Sequence, residues 1–362
     1  MRDCRMCRVV SAMILCPLRG RKLTNMDESS GDNINNSSSS NNNSSNNSVV
    51  VTTPFAVSVV SSSCQRPRNL IRVVDLRQRS SARRRDAASS YAGVEYPANF
   101  SVCVPPIFGN FDAVPDLVEF VEVNRLLGAE KFHFYNNSIG RRADACLWEY
   151  VRRGVVDVQP WSLPSSVFDV VYYRGQILAI NECLYRLMYR TKYLVIQDLD
   201  EFVVPMRSEN WQTMLNSIAK SARTNSDRIA SYSFRNRFFP TDLPKVFDFA
   251  SGTGIERRFK TLLVTRADKQ LFPFTVRSKM MARPERITIW HVHLILDTSL
   301  VRRGDRNVYV DAAYGQLFHY RRNVSVTNTT VVSRLKQFQP QILRRFNVAT
   351  AAICLTGDYL FQ

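Results

Sequence analysis

From about Tyr96 onward the chain alternates short apolar runs with stretches of helical period. Ser101-Val102-Cys103-Val104 reads as a first strand, followed by a loop through Pro105-Pro106 and Gly109-Asn110. A helix comes next, with Pro115 in its first turn, Gly128 just past its end, and Leu117, Phe120, Val121, Asn124 and Leu127 along one face. Lys131 to Tyr135 is a second strand, stopped by Asn136-Asn137; a helix from Ala143 to Arg152 closes at Gly154, and Val155 to Gln159 is a third strand. Gln176 to Tyr189 is helical, with Ile177, Ile180, Leu184, Leu187 and Met188 inside. The run Lys192 to Gln197 is aromatic, branched and apolar, which is the texture of a buried strand. Strand and helix in turn predict an α/β fold whose central sheet is mainly parallel and covered by helices. Beyond Ala230 the pattern becomes more strand-like, as in a mixed second half.

The first 95 residues have a different texture. Residues 1–28 hold a short apolar run, Val9 to Cys16, behind Arg2, Arg5 and Arg8, resembling a small signal-peptide core without a clear cleavage site. Residues 29–95 are an Asn/Ser tract and then an Arg-rich stretch, too polar to bury a core and expected to be a disordered tether. The folded domain is expected over 96–362. No segment reaches the roughly 18 apolar residues that a membrane-spanning helix needs.

Composition changes this picture little. Hydrophobic residues at 45% and aromatics at 11% support a real core. The formal charge of +18 suggests anionic partners, but much of it is Arg66, Arg68, Arg72, Arg77, Arg79, Arg83, Arg84 and Arg85, read as a solvated linker. With no zinc-finger spacing and no RNA-binding signature beside them, nucleic acid is not an expected partner. Cys103, Cys146, Cys183 and Cys354 lie in the folded part and either pair in an oxidising lumen or remain buried thiols. Sequons begin at Asn99, Asn136, Asn323 and Asn328.

The chemistry concentrates at Asp198-Leu199-Asp200-Glu201, where the buried strand should end. In open α/β sheets, ligands bind in the crevice at the carboxyl ends of the strands. Two carboxylates one residue apart at that edge suit a hard cation, Mn²⁺ or Mg²⁺, shared with substrate phosphates. The bland alternative is a pair of solvated loop acids or helix caps.

A set of ordered blocks then resembles glycosyltransferase family 92. The blocks are Cys103-Val-Pro-Pro-Ile-Phe-Gly109, Leu117 to Gly128, Phe134-Tyr-Asn-Asn137, Tyr173-Arg-Gly-Gln176 with Asn181-Glu-Cys183, Gln197 to Pro205, Ser278 to Pro284, His293 and His319-Tyr-Arg321. They cover most of the chain from Tyr96; one departure is Glu182, where the family pattern has Asp. The resemblance implies a GT-A fold and an inverting, metal-dependent transferase that moves a hexose, galactose above all, from a UDP-sugar to a glycan or glycoprotein acceptor. In the best-known animal cases that acceptor is N-glycan core fucose. It also implies a Golgi or secretory-pathway setting with membrane association. A catalytically inactive glycan- or nucleotide-binding protein on the same fold is the competing reading.

By analogy with GT-A enzymes, Asp198, Asp200 and His319 are the expected metal ligands, with Asp198 also able to reach the donor ribose. Phe108, Gly109, Asn136, Asn137, Lys279, Arg283 and Arg321 are expected on the donor, and Gln176, Glu201 and His293 on substrate. Turn roles compete for Gly109 and the Asn pair, and Glu201 can instead cap the following turn. His133, mid-strand, reads as a core histidine, and His291 as a neighbour of His293 on one strand face. An inverting displacement also needs a base for the acceptor hydroxyl; Glu256, Asp268 and Asp297 remain open candidates.

Overall fold

The structure is a computed structural model that describes short strands within 8–15, 56–57 and 71–72, and then residues 96–164, 171–242, 259–297 and 305–349. The chain divides into two compact units, Met1–Arg79 and Ser80–Gln362. In the first, β1 (Arg8–Val10) pairs with β2 (Met13–Leu15) and β3 (Ala56–Val57) with β4 (Ile71–Arg72), both antiparallel. The rest of the expected tether lies outside the described residues.

The second unit begins with β5 (Ala98–Ile107), α1 (Val114–Leu127), β6 (Lys131–Asn136), α2 (Arg141–Arg152), β7 (Val156–Pro160), α3 (Gln176–Leu187) and β8 (Thr191–Ile196). It continues with β9 (Glu201–Pro205), α4 (Trp211–Ser221), β10 (Ile229–Phe234), β11 (Asn236–Pro240), α5 (Lys260–Leu263), β12 (Arg266–Asp268) and β13 (Lys279–Ala282). The closing elements are β14 (Ile289–Trp290), β15 (Ile295–Asp297), β16 (Arg306–Tyr309), β17 (Gly315–Arg321), β18 (Thr329–Val331) and α6 (Gln339–Ala349).

The central sheet has seven strands in the order β16-β10-β13-β8-β5-β6-β7. All run parallel except β13, which is antiparallel to both of its neighbours. The expectation of a mainly parallel, helix-covered α/β sheet therefore holds. The apolar runs are continuous because both faces are covered: Tyr193 and Val195 of β8 enter one core with α1 and α2, while Leu194 and Ile196 enter another with α3. A smaller sheet, β11-β17-β9, stands beside the acidic turn.

Local sequence sets these elements. Pro115 opens α1, where its missing N–H costs nothing. Gly128 follows the helix at φ 123°, and the Trp211 side chain would lie 3.7 Å from a Cβ there. Asn210 and Thr213 close a reciprocal cap on α4. One sequence reading needs correction: β5 does not stop at Val104 but runs through Pro105-Pro106 to Ile107. Its pairing with β6 steps from Val104 opposite Phe134 to Ile107 opposite Asn136, so the prolines sit at an irregularity where no ladder N–H is required.

Cys103 on β5 and Cys183 on α3 are both buried and joined in a disulfide across 80 residues of chain, and Cys146 is disulfide-bonded as well. Closing a loop of that length restricts the unfolded chain. Replacing both partners, Cys103→Ala with Cys183→Ala, is expected to lower unfolding free energy by about 2–4 kcal/mol in urea titration. An unchanged midpoint and slope would show that the cross-link adds nothing to stability.

Candidate active site

Among β5 to β8 the sheet order reverses at one place. After β5 the chain builds β6 and β7 on one side, then returns to lay β8 on the other. The reversal opens a crevice at the carboxyl ends of β5 and β8, the position where α/β sheets bind ligands. Gln197 still donates its N–H to the Cys103 carbonyl, 3.1 Å. The chain then turns through Asp198-Leu199-Asp200. Glu201 N–H closes the turn on the Asp198 carbonyl at 3.1 Å, and the Glu201 carboxylate accepts from the Asp198 N–H at 3.2 Å.

Charge around this turn is tightly arranged. Lys279, at the start of β13 and 1% exposed, places Nζ 2.9 Å from Asp198 Oδ2 and 3.1 Å from Glu201 Oε2. Gln176 Nε2, from the first residue of α3, stands 3.5 Å from Asp198 Oδ1. His319 on β17 lies with Nε2 3.3 Å from Asp200 Oδ2 and Nδ1 3.3 Å from Glu201 Oε1, and the Asn236 carboxamide is 3.1 Å from Nδ1. Burial opposes the charge on Lys279, but Asp198 and Glu201 hold its pKa well above the ordinary lysine range. Burial likewise opposes charge on His319, yet Asp200 and Glu201 outweigh it and hold the ring's pKa up. For Asp200 burial is again the largest influence and is overcome by His319, which keeps the carboxyl below its usual value. Glu201 is pushed up to about 7 by burial, against the pull of Lys279.

Asp198 and Asp200 keep 38% of their side chains exposed, while Lys279 and Glu201 beneath them are closed from solvent. Among the described residues no group of three His, Cys, Asp or Glu side chains is placed, as it stands, to hold a metal ion. The donors are an open set: two hard carboxylates and an imidazole in contact with one of them. That chemistry fits Mn²⁺ or Mg²⁺ completed by substrate oxygens and water.

The other expected site residues fall in three groups. Phe108 and Gly109 leave the end of β5 into solvent. Phe108 packs edge-on to Tyr173 at 6.1 Å under the Arg174 guanidinium at 5.9 Å, and Gly109 has φ 75° with open space around it. His293 reaches the Ser278 carbonyl at 3.3 Å beside Lys279, and burial followed by that ammonium lowers its pKa to about 4. Arg321 is exposed, two residues past His319 on the same face of β17.

A second group has other work. Asn136 turns to Asp144 at 3.4 Å and Asn137 ties down the Trp161 carbonyl at 2.9 Å, so both fasten loops. Asp268 caps its own turn through Gln270 N–H at 2.9 Å and does not touch the acidic turn. His133 is buried in β6 facing Asp157 at 3.2 Å. Two expectations are corrected. Arg283 does not reach the donor crevice: it lies at the far end of antiparallel β13, 2% exposed, bonded to Asp227 at 2.8 Å and 5.2 Å from the Tyr193 ring centroid. Glu201 is not a substrate contact: at 1% exposure it faces Lys279 and His319 beneath the turn. Of the third group, Glu256 and the Asp297 side chain lie outside the described residues.

Two contributors had no motif to betray them. Asn236 orients His319 from β11, and Lys260 sends Nζ to the Leu199 carbonyl at 3.4 Å and to Asp116 at 3.5 Å. Lys260 is set by its neighbour Thr261, whose N–H and hydroxyl both donate to buried Glu119 at 2.7 and 2.6 Å.

The sequence profile of Glycosyltransferase family 92 matches residues 98–350, the span that carries every element of this site. The chain belongs to that family. A curated relative, beta-1,4-galactosyltransferase galt-1 of Caenorhabditis elegans, is 36% identical over 114 residues. That alignment covers 31% of this chain and 27% of the relative, so the match spans about a quarter of the relative's length. Solved structures are more distant. S. aureus TarS 1–349 in complex with UDP has 11% identity, 71% of this chain and 67% of that chain covered, and a TM-score of 0.32. Glucosyl-3-phosphoglycerate synthase from Mycobacterium tuberculosis, with Mn²⁺, UDP and glucosyl-3-phosphoglycerate, has 10% identity, 72% and 82% covered, and a TM-score of 0.28.

The buried charges give a pH signature. A carboxyl whose folded pKa is raised binds its proton more tightly when folded, so its contribution to stability is present at low pH and is lost as pH rises. For Glu201 that loss runs from 4.5 to about 7. His319, raised above 6.5, loses its share as pH rises through its folded value. The metal-free protein is expected to show a urea midpoint that falls between roughly pH 5 and 8, with the slope flattened in Glu201→Gln. A midpoint equally pH-dependent in the variant would remove Glu201 from this account.

Proposed function

We propose that this family 92 protein is a glycosyltransferase that moves a hexose from a UDP-sugar to a glycan acceptor with inversion and with a divalent cation. Galactose is the favoured sugar, in keeping with the name of the Caenorhabditis elegans relative. The observation that carries the reading is the Asp198–Asp200 pair: two half-exposed carboxylates at the topological switch, backed by buried Lys279 and His319.

Asp198, Asp200 and His319 would hold Mn²⁺ or Mg²⁺, which when bound supplies Lewis-acid neutralisation of the departing diphosphate. The protein's own groups do the rest. Lys279 and Gln176 fix the Asp198 carboxylate from two directions, and Glu201 with Asn236 orients the His319 ring. Phe108 and Tyr173, with Arg174 above them, form an aromatic rim at the end of β5, suited to a nucleobase and its phosphates. Lys260 adds positive charge on the outer side of the turn. With Asp268 occupied by its own turn, Glu256 and Asp297 remain the candidates for the base.

A secretory-pathway setting, with membrane association, belongs to the same proposal. The Cys103–Cys183 bond favours an oxidising compartment, and the sequon residues Asn99, Asn323 and Asn328 are exposed. No helix among the described residues is long and apolar enough to cross a membrane.

The test is UDP release from a panel of UDP-sugars with Mn²⁺ or with EDTA, for wild type and Asp200→Ala. Cation-dependent turnover of one donor, reduced about a hundredfold or more by the substitution, is expected. Equal turnover in EDTA would overturn the metal reading, and no turnover of any UDP-sugar by folded wild type would overturn the donor class.

A further inference from the structure

Directly ahead of Lys279 the chain runs Phe272-Pro-Phe-Thr-Val-Arg277. Thr275 and Arg277 both have positive φ, 69° and 59°. Side chains rarely tolerate that region, and for a β-branched residue it is a true outlier. The surroundings impose it: Phe272 N–H donates to the Asn236 carbonyl at 3.0 Å, and the Arg235 guanidinium spans the Leu271 and Phe272 carbonyls at 2.8 and 2.9 Å. Strain so held collects at ligand clamps and switches. Here it lifts Val276, 46% exposed, and Arg277 into solvent beside the site.

Around this turn lies a cluster of rings and cations, with Phe238 and His319 buried beneath it. Arg277 sits 5.5 Å from the Phe238 ring and 5.7 Å from that of Phe272, and Phe238 is 5.0 Å from the His319 ring. On the outer side Phe274 meets Tyr309 at 4.8 Å, with Arg235 5.7 Å from Phe274. Tyr309, 60% exposed, is the last residue of β16. Because β16 runs in the same sense as β8, that end lies at the sheet's carboxyl edge, in register with Ile196, two residues before Asp198. Three strand spacings separate them, about 14 Å.

This surface has the chemistry of a sugar ring. A pyranose offers a face of C–H bonds to an aromatic ring and a rim of hydroxyls to a guanidinium. An anionic ligand suits it less, since Arg235 is spent on two carbonyls and Arg277 alone is offered outward. The separation from Asp198 selects an oligosaccharide over a single sugar. We infer that Tyr309, Phe274 and Arg277 form a subsite for a neutral oligosaccharide, gripping a ring distal to the one that reacts. Naming that oligosaccharide the acceptor rests on the transferase reading above; the subsite itself does not.

The test is binding to a printed panel of neutral N-linked and O-linked oligosaccharides by wild type, Tyr309→Ala and Arg277→Ala, with thermal midpoints confirming that each variant is folded. Wild type is expected to bind members of the panel, and each substitution to weaken the best of them about tenfold, the scale of one lost aromatic or cation–π contact. Unchanged binding in both variants, or a wild type that binds no member, overturns the subsite. UDP titration separates the two readings. Wild type that binds glycans but not UDP leaves the subsite standing and sinks the donor class. Wild type that binds UDP but no glycan does the reverse.

Discussion

One buried ammonium organises the site. Lys279 has almost no access to water, and an unpaired ammonium in that position would carry a penalty of several kcal/mol. Two carboxylates meet it, Asp198 and Glu201, and both belong to the same four-residue turn. Sheet register puts the lysine there. Met281 pairs with Val195 and Ala282 with Leu194, so Lys279 falls opposite Gln197, one residue before the turn. A slip of one residue would send its side chain to the other face and take the ammonium away from both acids. The antiparallel insertion of β13 thus fixes where the turn's charges point, and the second acid of the pair, Asp200, is left to His319.

The three strands β5, β6 and β8 at the switch point were legible in sequence because they are buried on both faces. Continuous apolar runs such as Tyr193 to Ile196 have no amphipathic helical alternative at that length. The acidic turn was legible for a related reason: carboxylates are conspicuous where such a run stops. The contribution of β13 was not legible. Its pairing with β8 and β10 joins segments far apart in the chain, and nothing local in Lys279-Met-Met-Ala282 announces an antiparallel partner. Arg283 was misplaced for that reason, since the strand direction carries it away from the crevice that Lys279 enters. Glu201 was misread because adjacency to two exposed acids suggested shared exposure. It instead opens β9, every residue of which is buried. Pro105-Pro106 signalled a loop and found an irregular edge of pairing that tolerates them.

Two strained turns flank the pair of acids. Tyr173 and Arg174 have φ of 44° and 55° immediately before Gln176, as Thr275 and Arg277 do before Lys279. Gln176 and Lys279 are the side chains that touch the two oxygens of Asp198. The first turn carries exposed Tyr172 and Tyr173 with Arg174, and the second half-buried Phe272 and Phe274 with exposed Arg277, so the same segments that fix the carboxylate from either side present the rim surfaces. Positioning and recognition are therefore coupled through short pieces of backbone that packing holds in unfavourable conformations.

Electrostatics then limits what the crevice can accept. The chain's large positive charge lies heavily in the Arg-rich stretch before the domain, whereas the turn itself gathers three carboxylates against Lys279 and His319. Those two side chains are already engaged, and both are buried. A diphosphate brought against Asp198 and Asp200 meets like charge at close range, where partial burial weakens the screening that water would supply. Lys260 and Arg174 stand at the margins and cannot neutralise the gap between the carboxylates and the phosphates. On the proposed reading, a divalent cation shared between the two anionic groups resolves this conflict.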